Sequence, residues 1–305
     1  MYRYIVRRSL SGLLLVLAVS LATFLLMFAG GDPAMRMAGE AGSAADAARI
    51  REAFGFDRPI YVQYLLWLGG FVTGDLGRSL YFDLPVASIL IERMITTMKL
   101  GACAIFLAVA IGVPLGVAAG CRPNTRIDRF ALIFAVIGQA MPTFWFALLL
   151  VIVFSVTFPL LPSSGLDSWQ HYILPTIVLS YFAAPAIMRL TRSGMITVLD
   201  TDYIRTARAM GIMPGKILIK YALRNALVPV VSLAAAQFGY MLAGSVVVES
   251  VFAIHGAGRL AWESILRSDI PVIQALVLCF SLLYILLTFL ADVFNAWLDP
   301  RVRVS

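Results

Sequence analysis

The sequence is poor in charge. Only 13% of its 305 residues are Asp, Glu, Lys or Arg, against about 25% in an average soluble domain. With 61% of residues hydrophobic, one soluble core of this length could not hide the apolar surface. Histidine is scarcer still. His171 and His255 stand alone in expected loops or helix ends, whereas a zinc site needs several convergent donors. The three cysteines, Cys103, Cys121 and Cys279, are widely spaced, with no Cys-x-x-Cys pair. Cys103 and Cys279 fall in apolar runs and read as small buried hydrophobes. Catalytic motifs are missing too: there is no His-Glu-x-x-His and no Gly-x-Ser-x-Gly. Gly211 to Lys216 spells Gly-x-x-x-Gly-Lys, one residue short of a phosphate-binding loop, with Ile217 where Ser or Thr must hold magnesium.

What is present is long apolar runs. Six stretches, approximately 9–29, 99–120, 130–157, 172–190, 227–248 and 271–298, are each near or above the length needed to span hydrocarbon as a helix. Helices satisfy their own backbone and so can cross lipid. The first run, behind Arg3, Arg7 and Arg8, is longer than a signal-peptide core and is read as a retained helix rather than one cleaved near Ala29. The fold class expected is an all-α polytopic membrane protein with six transmembrane helices.

The net charge of +7 reads as topology rather than as nucleic-acid binding. Cytoplasmic loops collect Lys and Arg. Arg122, Arg126 and Arg129 lie between spans two and three, and Arg189, Arg192, Arg205, Arg208, Lys216, Lys220 and Arg224 around the loop between spans four and five. Arg301 and Arg303 follow span six. With six spans these share one side, and the opposite loop 158–170 has no Lys or Arg. Both termini are therefore expected in the cytoplasm. The segment 30–98 carries several arginines on the expected outer side, and long loops escape the charge rule.

The organisation expected is an N-terminal helix 1–29, an external segment 30–98, a five-helix core 99–298 holding a cytoplasmic loop 191–226, and a tail 299–305. In the external segment, Ser43 and Asp46 mark a helix start and Gly55 a stop. Asp57-Arg58-Pro59 caps a second helix, Ile60 to Phe71, and Gly74-Asp75-Leu76-Gly77 is a turn. Pro85 opens a third helical stretch leading toward span two. Gly101, Gly112, Gly116 and Gly120 in span two allow close helix approach. No internal repeat is visible, which disfavours an inverted-repeat secondary transporter.

The loop between spans four and five is the most informative stretch. Asp200 or Thr201 caps a helix starting near Asp202, with Tyr203, Ala207 and Met210 on one face and Arg205 and Arg208 elsewhere on its surface. Gly211 stops it, and Pro214 suits the first turn of a second helix running toward Arg224. Two short helices meeting at a glycine make a knuckle that fits a partner's groove. The same pattern also suits a basic segment on anionic lipid.

Asp202-Tyr203-Ile204-Arg205-Thr206-Ala207-Arg208-Ala209-Met210-Gly211 resembles the cytoplasmic coupling loop of ATP-binding-cassette importer permeases, and more narrowly that of the dipeptide/oligopeptide (peptide/nickel) branch. Arg205, Thr206 and Ala207 stand where the general pattern has glutamate, alanine and alanine. Arg224-Asn225-Ala226-Leu227 with Pro229 is similar to the peptide branch; Met210 and Tyr221 depart from it. The resemblance spans nearly the whole chain: Gly31-Asp32-Pro33, Gly55-Phe56-Asp57-Arg58-Pro59, Gly74-Asp75-Leu76-Gly77-Arg78-Ser79, Met141-Pro142 with Phe144-Trp145, Gly256-Ala257-Gly258-Arg259 behind His255, then Arg267, Asp269, Pro271, and Asp299-Pro300-Arg301. It implies a type I importer permease fold, the first of two paired permeases.

The resemblance further implies a second homologous permease as heterodimer partner, one or two ATPase subunits binding ATP and magnesium, and an extracytoplasmic binding protein. The chain itself would be non-catalytic, carry no cofactor and bind no nucleic acid. It would sit in the bacterial inner membrane and pass short peptides or a related solute. The coupling residues implied are Tyr203, Arg205, Thr206, Ala207, Arg208, Met210, Gly211 and Pro214. Gln139 and Gln237 are candidates to line the pathway, while Glu249 and Asp292, near span ends, are expected to reach water. The competing class is a stand-alone channel or secondary transporter. It would need midplane ionisable groups, in which the sequence is poor, and has no use for a docking knuckle.

Overall fold

The computed structural model describes residues 2–29, 31–39 and 42–298. The motif Asp299-Pro300-Arg301 and Arg303 lie outside the described residues. All regular elements among those described are helical. In chain order they are α1 (Tyr2–Ala29), α2 (Pro33–Ala38), α3 (Ala44–Ala53), α4 (Ile60–Thr73), α5 (Val86–Cys121), α6 (Arg126–Ala140) and α7 (Thr143–Val151). There follow α8 (Ile173–Leu199), α9 (Asp202–Ala209), α10 (Pro214–Lys216), α11 (Arg224–Ala226), α12 (Val228–Val251), α13 (Ala257–Leu266) and α14 (Ile270–Leu298). Two π-helical stretches, Ile152–Thr157 and Ile217–Leu223, extend α7 and join α10 to α11.

Among the described residues, five helical stretches are long and apolar enough to cross a bilayer: Arg8–Leu25, Val86–Cys121, Trp169–Leu199, Val228–Val251 and Ile270–Phe294. The third run expected from the sequence is not one straight helix. It breaks at Met141-Pro142, and α6 meets α7 with its π extension at 100°, making six spans if the pair counts as one. Proline disfavours the helical region in the residue before it, and Met141 is extended at φ −82°, ψ 132°. In contrast, the stretch opened by Pro85 and the second span form one helix of 36 residues, with Pro114 inside it. At 1.5 Å per residue this helix is about 54 Å long, well beyond a hydrocarbon layer of about 30 Å.

The chain divides into two compact units. One comprises, of the described residues, 2–5, 98–254 and 286–298. Its core gathers Leu100, Ala104, Ala108, Val178, Ala183, Ile187, Met241 and Val248. Glycines set its closest packing. A Cβ added at Gly112, Gly116 or Gly120 would fall 2.8, 2.6 or 2.7 Å from its nearest neighbour, in each case an atom of α8. This is the small-residue stripe by which helices approach in lipid, without a hydrophobic force to drive them. Cys103 is exposed and so is not the buried hydrophobe expected, and Cys279 is only partly covered.

The other unit comprises Val6–Thr97 and His255–Ile285. Ser43 caps α3 in a reciprocal box with Asp46, and the backbone turns at Gly55 with φ +67°. Pro59 itself takes the cap position of α4, with no side-chain cap, in place of the Asp57 cap expected; Gly74 closes the helix at φ 85°. Phe24, Met27 and Ile270 pack with Phe56, Tyr64 and Trp67, and the Ser20 and Tyr64 hydroxyls bond at 2.8 Å. A second cluster joins Val86, Leu90, Ala257, Leu260, Val272 and Leu276.

Candidate functional site

The loop after α8 folds as a two-helix knuckle. α9 spans Asp202–Ala209, Gly211 takes φ +74°, and Pro214 opens α10. A left-handed φ costs L-residues with a Cβ about 1–2 kcal/mol, so glycine fits the corner. Thr201 holds the cap position without a side-chain bond. Arg205 instead ties the start of α9, donating to Asp200 and Asp202 at 3.1 Å each. Thr206 donates to the Asp202 carbonyl at 3.0 Å.

Within α9 the buried residues do not coincide with the face of Tyr203, Ala207 and Met210 read from the sequence. Ile204 and Ala207 face inward, and the latter is only 6% exposed. They pack with Met195, Ile217, Ala222 and Ala226. Tyr203, 43% exposed, bridges to the second half of the knuckle: its hydroxyl donates to the Tyr221 carbonyl at 3.3 Å and accepts from Asn225 at 2.8 Å. Of the three residues at i, i+4 and i+7 only Ala207 is buried, because the cluster beneath the helix is assembled largely from α8 and the π segment. Small Ala207 therefore serves packing within this chain.

The outward surface is the corner. Arg208, Gly211 and Pro214 are exposed, and Met210 and Met213 are each 74% exposed. Met213 was not singled out from the sequence; a second methionine flanking the glycine corner was the available signal. Unbranched, polarisable methionine adapts to partner grooves. The structure thus brings Met210, Gly211, Met213 and Pro214 together as an apolar tip beside Arg208, with nothing within 4 Å of a Cβ added at Gly211.

The polar residues flagged in the spans separate. Gln139 is exposed and accepts from Arg189 Nη1 at 2.7 Å. Gln237 is buried, and its Oε1 has no partner among the described residues. Glu249 is fully buried and does not reach water as expected; past the end of α12 at Val251 the chain folds back, the Ile254 amide donating to the Glu249 carbonyl at 2.8 Å. His171 Nδ1 is tied to the Ser168 amide at 3.2 Å and bonds its hydroxyl at 3.0 Å, a capping role. His255 is exposed, and partial burial followed by the nearby charges of Arg259 and Arg93 lowers its pKa.

A further polar centre joins two segments that the resemblance had treated separately. Asp269, fully buried, accepts from the Ser79 hydroxyl and from the amides of Leu80 at 3.2 Å and Tyr81 at 3.4 Å. Arg267 lies 3.6 Å over the Tyr81 ring. Sequence spacing gave no hint of this meeting, since 190 residues separate Ser79 from Asp269.

The family described as "Binding-protein-dependent transport system inner membrane component" matches residues 112–304, and its N-terminal companion matches residues 1–101. The glutathione transport system permease protein GsiC of Salmonella paratyphi A is 40% identical over 304 residues, covering 99% of each chain. The protein of that name from Escherichia coli (strain K12) is 39% identical over the same length. A chain of the inward-facing MetNI methionine ABC transporter superposes with a TM-score of 0.56 at 22% identity, over 69% of this chain and 96% of that one, a likeness of fold. With apolar spans, a type I permease fold and family matches over nearly its whole length, the chain belongs to the binding-protein-dependent transport inner membrane components and is a permease subunit of an ATP-binding-cassette importer.

Proposed function

We propose that this chain forms half of the transmembrane pathway of an importer for short peptides of the glutathione class, and that the knuckle at 202–214 receives the stroke of a separate ATPase. The observation that carries this is the exposed tip of Met210, Gly211, Met213 and Pro214, backed by the buried cluster of Ile204, Ala207 and Ile217. A packed backing transmits force, and an apolar tip beside a cation suits a protein groove. ATP and magnesium belong to the ATPase. A second, homologous permease completes the pathway, and an extracytoplasmic binding protein delivers the solute to the outer face. Both termini lie in the cytoplasm, with 30–98 outside and 191–226 inside as the coupling loop. Arg205 and Tyr203 act by holding the knuckle's shape, and Arg208 by contact. Gln237, with its spare acceptor, is the better of the two pathway candidates, because Gln139 is engaged by Arg189.

Gly211→Asp tests the docking assignment. It should insert normally but recover less ATPase, because it puts a charge into a close contact. Gly211→Asn separates backbone strain from charge, since asparagine tolerates positive φ, and should recover more ATPase than the aspartate variant. Normal ATPase recovery and transport with Gly211→Asp would remove the knuckle from the docking site.

A further inference from the structure

Helices α6 and α8 are joined along their length by polar bonds. Near the start of α6, Asp128 is 2% exposed while the Arg192 side chain opposite is 23% exposed. The carboxylate accepts from Arg192 Nε at 2.5 Å and Nη2 at 2.8 Å, and from the Asn124 amide at 2.8 Å. Asn124 adopts φ +63°, so the turn between α5 and α6 is folded onto this carboxylate. Further along, Arg189 on α8 donates to Gln139 on α6. Gly138 leaves room for Pro185, whose Cγ would lie 2.6 Å from an added Cβ. At the far end the Tyr181 hydroxyl reaches the carbonyls of Met141 at 3.1 Å and Ile137 at 3.4 Å, where α6 ends and its last carbonyls lack helical partners.

A buried ion pair is a weak source of net stability, because desolvation offsets attraction; its best-attested use is fixing register. Here the register is that of α8, which leads two turns later into the knuckle, against α6, which ends at the 100° break. From Asp128 to Met141 the seam runs about 20 Å at 1.5 Å per residue.

We propose that the α6–α8 seam is a rigid lever carrying movement of the knuckle to the break at Met141-Pro142, with Asp128 and Arg192 as its positioning residues. The proposal rests on the knuckle being the docking element. Without the ion pair, α8 slides against α6 and the stroke is spent before it reaches the break.

The test uses the whole importer in proteoliposomes, with Cys103, Cys121 and Cys279 replaced and Phe144→Cys placed just past the break. Maleimide modification of that cysteine is timed with and without ATP and vanadate, beside ATP hydrolysis and subunit recovery. In the parent the modification rate should change with nucleotide. In Asp128→Asn, and in the double variant Asp128→Leu with Arg192→Met, which leaves no buried charge unpaired, that change should shrink about tenfold, within the usual range of allosteric coupling, while ATP hydrolysis and recovery stay near parental values. Arg192→Lys, which keeps a charge on Asp128, should restore part of it. Arg189→Met, which removes only an exposed bond, should shrink it less. An unaltered nucleotide response in Asp128→Asn overturns the lever, as does a parent whose rate never changes. Loss of recovery in Asp128→Asn together with a full response in Arg189→Met marks the pair as structural only and overturns it too. Normal ATPase recovery and transport in Gly211→Asp refutes the docking reading instead, a separate result.

Discussion

Gly116→Ala probes the packing on which the account depends. The new Cβ would fall 2.6 Å from both the Met188 carbonyl oxygen and Thr191 Cβ. Carbon atoms prefer about 3.5–4.0 Å, so the helices must part by roughly 0.9 Å or more. Neither neighbour is a flexible chain end: one is backbone, and the Thr191 hydroxyl is anchored to the Ile187 carbonyl at 2.8 Å. Overpacking of this kind costs about 1–3 kcal/mol, and alanine's helix preference over glycine returns about 1 kcal/mol. Because the obstruction is rigid, the upper range applies, and a net loss of about 2 kcal/mol follows. Gly244→Ala in α12 is the matched control. Nothing lies within 4 Å of its Cβ, so only the helix gain of about 1 kcal/mol remains. The assay is retention of monodisperse protein after graded heating in mild detergent. Gly116→Ala should lose its midpoint by several degrees while Gly244→Ala holds or gains. Equal midpoints for Gly116→Ala and the parent would refute the close approach of α5 to α8.

Other expectations concern the second unit. Asp269→Ala removes the acceptor shared by Ser79, Leu80 and Tyr81. Bonds to a charged group contribute about 1.5–3 kcal/mol each, so limited proteolysis should cut within 79–85 faster than in the parent; an unchanged pattern would show that the loop is held by other contacts. The Asp46 carboxyl is held below its usual range by the Ser43 hydroxyl and then the Ser43 amide, and Asp32 by the Arg51 guanidinium. A depressed folded pKa contributes stability above the unfolded value and loses it as pH falls through the folded value. Amide exchange in Ala44–Ala53 should therefore quicken, relative to its intrinsic rate, below about pH 4, and Asp46→Asn should flatten that dependence. Protection that grows on acidification would contradict it.

Much of this was legible in the sequence because it is local. The box of Ser43 and Asp46, the corners at Gly55, Gly74 and Gly211, and the start at Pro214 each follow from the backbone preferences of single residues. The glycine stripe in α5 was legible as a tendency to pack closely, although its partner helix was not. What escaped depends on groups far apart in the chain. Proline within an apolar run is compatible with a carried-through helix, as at Pro114 and Pro185, or with a sharp break, as at Pro142. Hydropathy does not tell these apart. Nor did periodicity decide which face of α9 turns inward, because the surface beneath it comes from α8 and a π segment. Glu249 is buried although its place near a span end suggested contact with water; helix position along the chain does not report what folds over the end.

The most direct measurement is gentle detergent purification of this chain expressed with its neighbouring transport subunits, reading the proteins that accompany it and their ATP hydrolysis. The account predicts a second permease and one or two ATPase chains, with ATPase recovery lowered by Gly211→Asp. Recovery of this chain alone, with no ATPase under the mildest extraction, would contradict it.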